Sequence, residues 1–125
     1  SDLKCQKCGE IFDVRNFNLK NIPPRCSGDN EILKPDFIFF GEAISPSAFE
    51  NSFADAEKCE VCIIIGSTGE VTPASFVPRT AKQNGATIIE INPKESMFTN
   101  SVTDIHLQGS ASKILARLEQ YLFEK

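Results

Sequence analysis

Apolar residues are scattered through the first thirty-five positions and then fall into short runs separated by turn-formers. Asp36-Phe37-Ile38-Phe39-Phe40, ended by Gly41, predicts a short buried strand. Ser45-Pro46 offers an N-cap followed by proline at the first helical position, and Phe49, Phe53 and Ala56 share one face of the helix that follows. Val61-Cys62-Ile63-Ile64-Ile65 is a continuous apolar run of the sort a parallel sheet buries on both faces, broken at Gly66. A second helix is expected from Thr72-Pro73 to Asn84-Gly85, perturbed by Pro78. Thr87–Ile91 reads as the next strand and Asp104–Leu107 as a shorter one. Ser110 opens a last helix with Ile114, Leu118, Tyr121 and Leu122 on one face.

Strand, helix, strand, helix, strand, strand, helix is the order of one half of a doubly wound α/β sheet. The fold class expected is therefore α/β: the C-terminal half of a Rossmann-like doubly wound parallel sheet, with a small zinc-ribbon-like module before it. Residues 1–35 are assigned to that module, because Lys4 to Gly9, Asn16 to Asn21 and Pro23 to Asn30 are too polar and turn-rich to form a core without a staple. Residues 36–125 are assigned to the half-domain. Nucleotides bind where the two halves of such a sheet meet, so one half offers an uncovered edge and one wall of a crevice.

Composition narrows the function classes. The chain has 125 residues, 41% of them hydrophobic, enough for one core and a small appendage. A net charge of -4 gives no basic field for nucleic acid, and no apolar run reaches the ~20 residues of a membrane span. A soluble, cytoplasmic protein is expected. The chain begins at Ser1 and its one methionine is Met97, which suggests a piece of a longer protein.

Five cysteines, an odd number, argue against a disulfide framework. Cys5-x-x-Cys8 followed by Cys26 has the spacing of a thiolate zinc site. The expected fourth cysteine is replaced by Asp29, which either completes the site, leaves its place to water or abolishes binding. Cys59-x-x-Cys62 repeats the spacing but abuts the most apolar strand, where small buried cysteines are common. Gly66-Ser67-Thr68 ends the central strand and suits a phosphate or ribose; Asn92, past the next strand, suits a ribose hydroxyl. Both are also ordinary turn residues. His106, the sole histidine, alternates with Ile105 and Leu107 and is read as structural.

Taken together, Cys5, Cys8, Cys26, the segment Leu33 to Glu42, Gly66 to Ala74, Gly85 to Asn92, and Gly109 before a helix resemble the sirtuins in order and spacing. Sirtuins are NAD-dependent protein deacylases, which transfer the acyl group of a modified lysine to the ADP-ribose of NAD and release nicotinamide. The resemblance implies NAD contacts at Gly66, Ser67, Thr68, Asn92, Pro93, Lys94 and Ala111. It implies a groove for an acylated-lysine peptide or protein between Ile38, Phe40, Gly41, Glu42 on one side and Gly69, Glu70, Val71 on the other. It implies a structural zinc at Cys5, Cys8, Cys26 and Asp29. Two residues depart from the family pattern: Asp29, and Gly69 where leucine is usual. The family's Gly-Ala-Gly loop, Asn-x-Asp segment and catalytic histidine all precede the first zinc cysteine. The N-terminal sirtuin half is thus a missing partner, and no catalytic residue is assigned here. The expectation is part of a deacylase, inactive alone. The alternatives are a non-catalytic nucleotide- or peptide-binding sirtuin-like module and a thiol-rich zinc or redox protein.

Overall fold

Two turns built alike begin the chain. In the computed structural model, which describes residues 2–17 and 22–123, the Cys5 N–H bonds the Glu10 carbonyl at 2.9 Å and the Gly9 N–H bonds the Cys5 carbonyl at 3.0 Å. Cys26 repeats this with Glu31 and Asn30, at 2.8 and 3.0 Å. The first turn joins strands β1 (Leu3–Cys5) and β2 (Ile11–Phe12), and the second leads into β3 (Leu33–Pro35). The three make an antiparallel sheet ordered β2-β1-β3, with Leu3 opposite Phe12 on one side and Pro35 on the other. Leu3, Cys5, Cys26 and Leu33 form its small core, with Phe12, Val14 and Phe17 packed against them. Of the polar stretch Asn16–Asn21, residues 18–21 lie outside the described residues.

Asp36–Phe40 does not form the buried strand its composition predicts. Phe37, Ile38 and Phe39 are about half exposed and Phe40 is 92% exposed. A strand needs a partner for its main chain. Here the Phe37 carbonyl accepts from Lys34 Nζ at 2.6 Å, and the Phe39 N–H donates to Glu42 Oε2 at 2.9 Å. Side chains have taken the groups a ladder would use. Residues Ser1–Ile44 make one compact unit and Ser45–Lys125 the other.

The second unit opens with α1 (Pro46–Ala56), capped by the Ser45 hydroxyl, which accepts from the Ala48 N–H at 3.2 Å. Strand β4 (Val61–Ile65), helix α2 (Phe76–Gln83), strands β5 (Thr87–Asn92) and β6 (Ile105–Gln108) and helix α3 (Ala111–Phe123) follow. The sheet is parallel, ordered β4-β5-β6, with Ile63 opposite Ile89 and Ile89 opposite Ile105. Helix α2 starts later than the Thr72-Pro73 signal predicts. Val71–Ser75 closes a turn of its own, and Pro78 then falls in the first helical turn, where its missing N–H costs nothing.

Ala56, Ile64, Ala81, Ala86, Ile88, Phe98 and Val102 form the core, and Cys59 and Cys62 pack against it as the structural reading of that pair expects. The other side of β4 differs from the expectation of burial on both faces: Val61, Ile63 and Ile65 are each about half exposed. Alternation along the strand explains this, since residues i and i+2 share a face and the core covers only the side of Ile64. No described helix is long and apolar enough to cross a membrane.

Candidate nucleotide wall and metal centre

The two turns at Cys5 and Cys26 bring four possible ligands together. Asp29 stands in the second turn where Cys8 stands in the first, three residues past the leading cysteine. The thiols of Cys5, Cys8 and Cys26 and a carboxylate oxygen of Asp29 all lie within 4.8 Å of one another. Cys8 Sγ is 3.8 Å from Cys26 Sγ, matching the ~3.8 Å that tetrahedral thiolates around a zinc ion keep at Zn–S of about 2.3 Å. Asp29 oxygens lie 3.4 and 3.5 Å from Cys5 Sγ.

The local charges favour a cation. The Cys8 N–H, 3.5 Å from Cys5 Sγ, holds that thiol below the ordinary cysteine value against the effect of burial. The Glu10 N–H favours the Cys8 thiolate, yet the neighbouring Cys5 and Cys26 thiols push Cys8 up to about 11. The Glu31 N–H, at 3.0 Å, holds the Asp29 carboxyl below its ordinary value. Close acids that oppose one another's ionisation are what a divalent ion relieves. The residues present therefore fit a metal.

The second site lies at the C-terminal ends of the parallel strands, where ligands bind in open α/β sheets. The Gly66 N–H reaches the Ile91 carbonyl at 3.0 Å, carrying the β4–β5 ladder one step past the strand. Gly66 has φ +63°, a left-handed conformation that a side chain would strain. Asn92 Nδ2 donates to the Ser67 carbonyl at 2.9 Å, and the Met97 N–H to the Thr68 carbonyl at 2.9 Å. The Gly109 N–H donates to the Asn92 carbonyl at 3.1 Å, and Gln108 Nε2 to the Pro93 carbonyl at 3.3 Å. The turns after β4, β5 and β6 thus form one connected rim. Ser67 and Thr68 are exposed on it, as are Pro93 and Lys94; Ala111 begins α3, just past Gly109.

His106 is half-buried, with Nε2 3.2 Å from the Asn92 carbonyl, consistent with a structural role. Gly69, buried with φ +79°, is packed so tightly that an added Cβ would meet Met97 Cβ and the Phe98 ring at 3.0 Å. Glu70 and Val71 are exposed beside it. Ile38, Phe40, Gly41 and Glu42 are exposed in the other unit.

Sequence reasoning passed over Glu90. It is fully buried in β5, between Ile89 and Ile91, and receives four side-chain hydrogen bonds. The signal was present: an acid inside an apolar strand, on the face of core residue Ile88, followed by hydroxyls at Ser96, Thr99 and Thr103.

Known proteins agree with this architecture. The model of the Sir2 family matches residues 1–73. An NAD-dependent protein deacylase of Aeropyrum pernix is 37% identical over 94% of this chain and 47% of its own length. A Sir2 homologue solved with ADP-ribose superposes with TM-score 0.88 at 29% identity, over 98% of this chain and 49% of that one. A Sir2 protein bound to a propionylated peptide shares the fold, with TM-score 0.84 at 20% identity, over 96% of this chain and 52% of that one. The chain spans about half the length of the curated relatives it matches. A metal-ligand cluster on a small antiparallel sheet in one unit, and in the other a parallel sheet whose strand ends make a continuous rim, are thus accounted for, and the chain belongs to the Sir2, or sirtuin, family.

Proposed function

We propose that this chain supplies one wall of the NAD site of an NAD-dependent protein deacylase, together with both edges of its acyl-lysine groove. The observation that supports this most directly is the Asn92–Ser67 hydrogen bond, which joins the turns after β4 and β5 into a single polar rim. Gly66, Ser67 and Thr68 would receive ribose and phosphate through main-chain N–H groups and hydroxyls. Asn92, Pro93, Lys94 and Ala111 would receive the adenosine end. NAD, when bound, supplies the electrophilic ribose carbon to which the acyl oxygen attaches. The residues of this chain bind and orient.

Main-chain groups of Ile38, Phe40, Gly41 and Glu42, and those of Gly69, Glu70 and Val71, would each offer hydrogen bonds to an extended acylated peptide taken up as an added strand. The exposed, unladdered state of residues 37–40 is compatible with a segment that finds its strand partner in a ligand. Residues 1–35 would form the metal module, with zinc held by Cys5, Cys8, Cys26 and Asp29 in a structural role. Residues 36–125 would form the half-domain. Five free thiols suit a reducing, cytoplasmic setting.

Deacylation needs a group to take the proton from a ribose hydroxyl. The one histidine of these 125 residues sits against the Asn92 carbonyl and is not assigned that task. The base would come from residues beyond these, and the chain alone would bind without turning over. The same observation favours a second reading, a non-catalytic sirtuin-like module that binds nucleotide or peptide.

Nicotinamide release and deacylation, measured on this chain and on a longer product of its gene, separate the two. Activity confined to the longer form is the expected result. A longer form carrying its own Gly-Ala-Gly loop and histidine, yet inert toward NAD, would overturn the deacylase reading. ADP-ribose binding by the chain tests the nucleotide wall directly.

A further inference from the structure

A carboxylate fully removed from water is held in β5 by four neutral donors, and the arrangement has a direction. Ser96 Oγ donates to Glu90 Oε1 at 2.5 Å, and Asn92 Nδ2 reaches the same oxygen at 3.4 Å. Thr99 and Thr103 hydroxyls donate to Oε2 at 2.8 and 2.9 Å. Two of these hydroxyls accept from the main chain in turn: Ser96 Oγ from the Phe98 N–H at 3.0 Å, Thr99 Oγ1 from the Ser96 N–H at 2.9 Å. Hydrogen bonds therefore run one way, from main-chain N–H to hydroxyl to carboxylate.

Burying a carboxylate is expensive, and apolar Ile88 fills the same face of the strand two residues earlier. The acid is retained where it can control two things on the rim. Its Oε1 and the Ser67 carbonyl take the hydrogens of the Asn92 amide, so that what this amide has left to offer a ligand is an acceptor, Oδ1. Its hold on Ser96 and Thr99 fixes the segment whose Met97 N–H bonds the Thr68 carbonyl at 2.9 Å.

We infer that Glu90 is a positioning residue for the nucleotide: it sets Asn92 as a hydroxyl-accepting group and seats the Ser96–Thr99 segment against the Thr68 turn. This rests on the nucleotide reading above and adds to it a residue that touches no ligand.

The test uses the nitrogen-labelled 125-residue chain, with NMR of the Asn92 side-chain amide and titration with ADP-ribose. Glu90→Gln keeps the shape but removes the charge that four donors share and replaces one accepting oxygen by an N–H₂, which cannot take the hydrogen bonds that oxygen accepted. The Asn92 amide resonances should shift and lose protection from exchange, and ADP-ribose affinity should fall by about fivefold or more. Thr103→Val removes a donor from the oxygen that does not touch Asn92. It should leave the Asn92 resonances in place and affinity within about twofold. Where Glu90→Gln fails to fold, Ser96→Ala decides, with Asn92 resonances and affinity expected to move together. Asn92 resonances indifferent to Glu90→Gln, or to Ser96→Ala in its place, with ADP-ribose still binding, overturn this inference alone. An unsubstituted chain that shows no response to ADP-ribose overturns the nucleotide reading and this inference with it.

Discussion

The side-chain amide of Asn92 and the main-chain carbonyl of Ser67 are joined at 2.9 Å, so the turn after β4 is fastened to the end of β5 by a residue whose other bond goes to buried Glu90. Asn92→Ala leaves the Ser67 carbonyl without this donor and Glu90 with three. A loss of about 1 kcal/mol in unfolding free energy is expected, read as a lower urea midpoint at unchanged slope. Asn92→Asp should cost more, since it sets a second carboxylate beside Glu90.

Gly69 has no room for a side chain. With φ +79° and Met97 and Phe98 3.0 Å from the place a Cβ would occupy, Gly69→Ala should lose about 1–3 kcal/mol. Leucine, which the family resemblance leads one to expect here, should lose more. Urea unfolding of the three proteins gives the order, and a neutral alanine variant would refute the packing described.

The metal centre makes its own prediction. Asp29→Cys supplies a fourth soft ligand in a turn already shaped for it, so zinc should withstand a competing chelator better than in the unsubstituted chain. Cys26→Ser should weaken zinc by at least about tenfold, since losing a ligand costs more than losing one of its supports. Chelator competition followed by metal content measures both.

Asp104 links pH to the joint between α2 and β5. Its Oδ2 accepts from the Ile88 N–H at 2.8 Å and its Oδ1 pairs with Lys82, and these hold the carboxyl below its ordinary value against the effect of burial. A folded-state pKa lower than the unfolded one adds stability above the unfolded value, about 3.9, and that stability is lost as pH falls through the folded value. Asp104→Asn should therefore destabilise at neutral pH and progressively less below about pH 4. Urea midpoints of the two proteins across that range are the check.

How far the sequence could be read depended on whether each residue's fate was decided nearby. Val61–Ile65 and Thr87–Asn92 were legible as strands because their apolar runs pair with each other. Phe37–Phe40 looked the same and is not a strand, because a run of phenylalanines announces burial but not the partner that would deliver it. Glu90 was illegible for the opposite reason. Its polarity is satisfied by residues up to Thr103, a closure that appears only once the loop has folded back. The cysteine spacing was legible, but Asp29 could be read three ways until the second turn was seen to copy the first.

The one-way run of hydrogen bonds behind Asn92 bears on selectivity. With both amide hydrogens spent inside the protein, the rim presents only a lone pair at that point. A sugar whose hydroxyl has become a methyl ether keeps its oxygen but meets that lone pair with nothing to give. If Asn92 receives a sugar hydroxyl as proposed, discrimination there would be a matter of chemical sign and not of size.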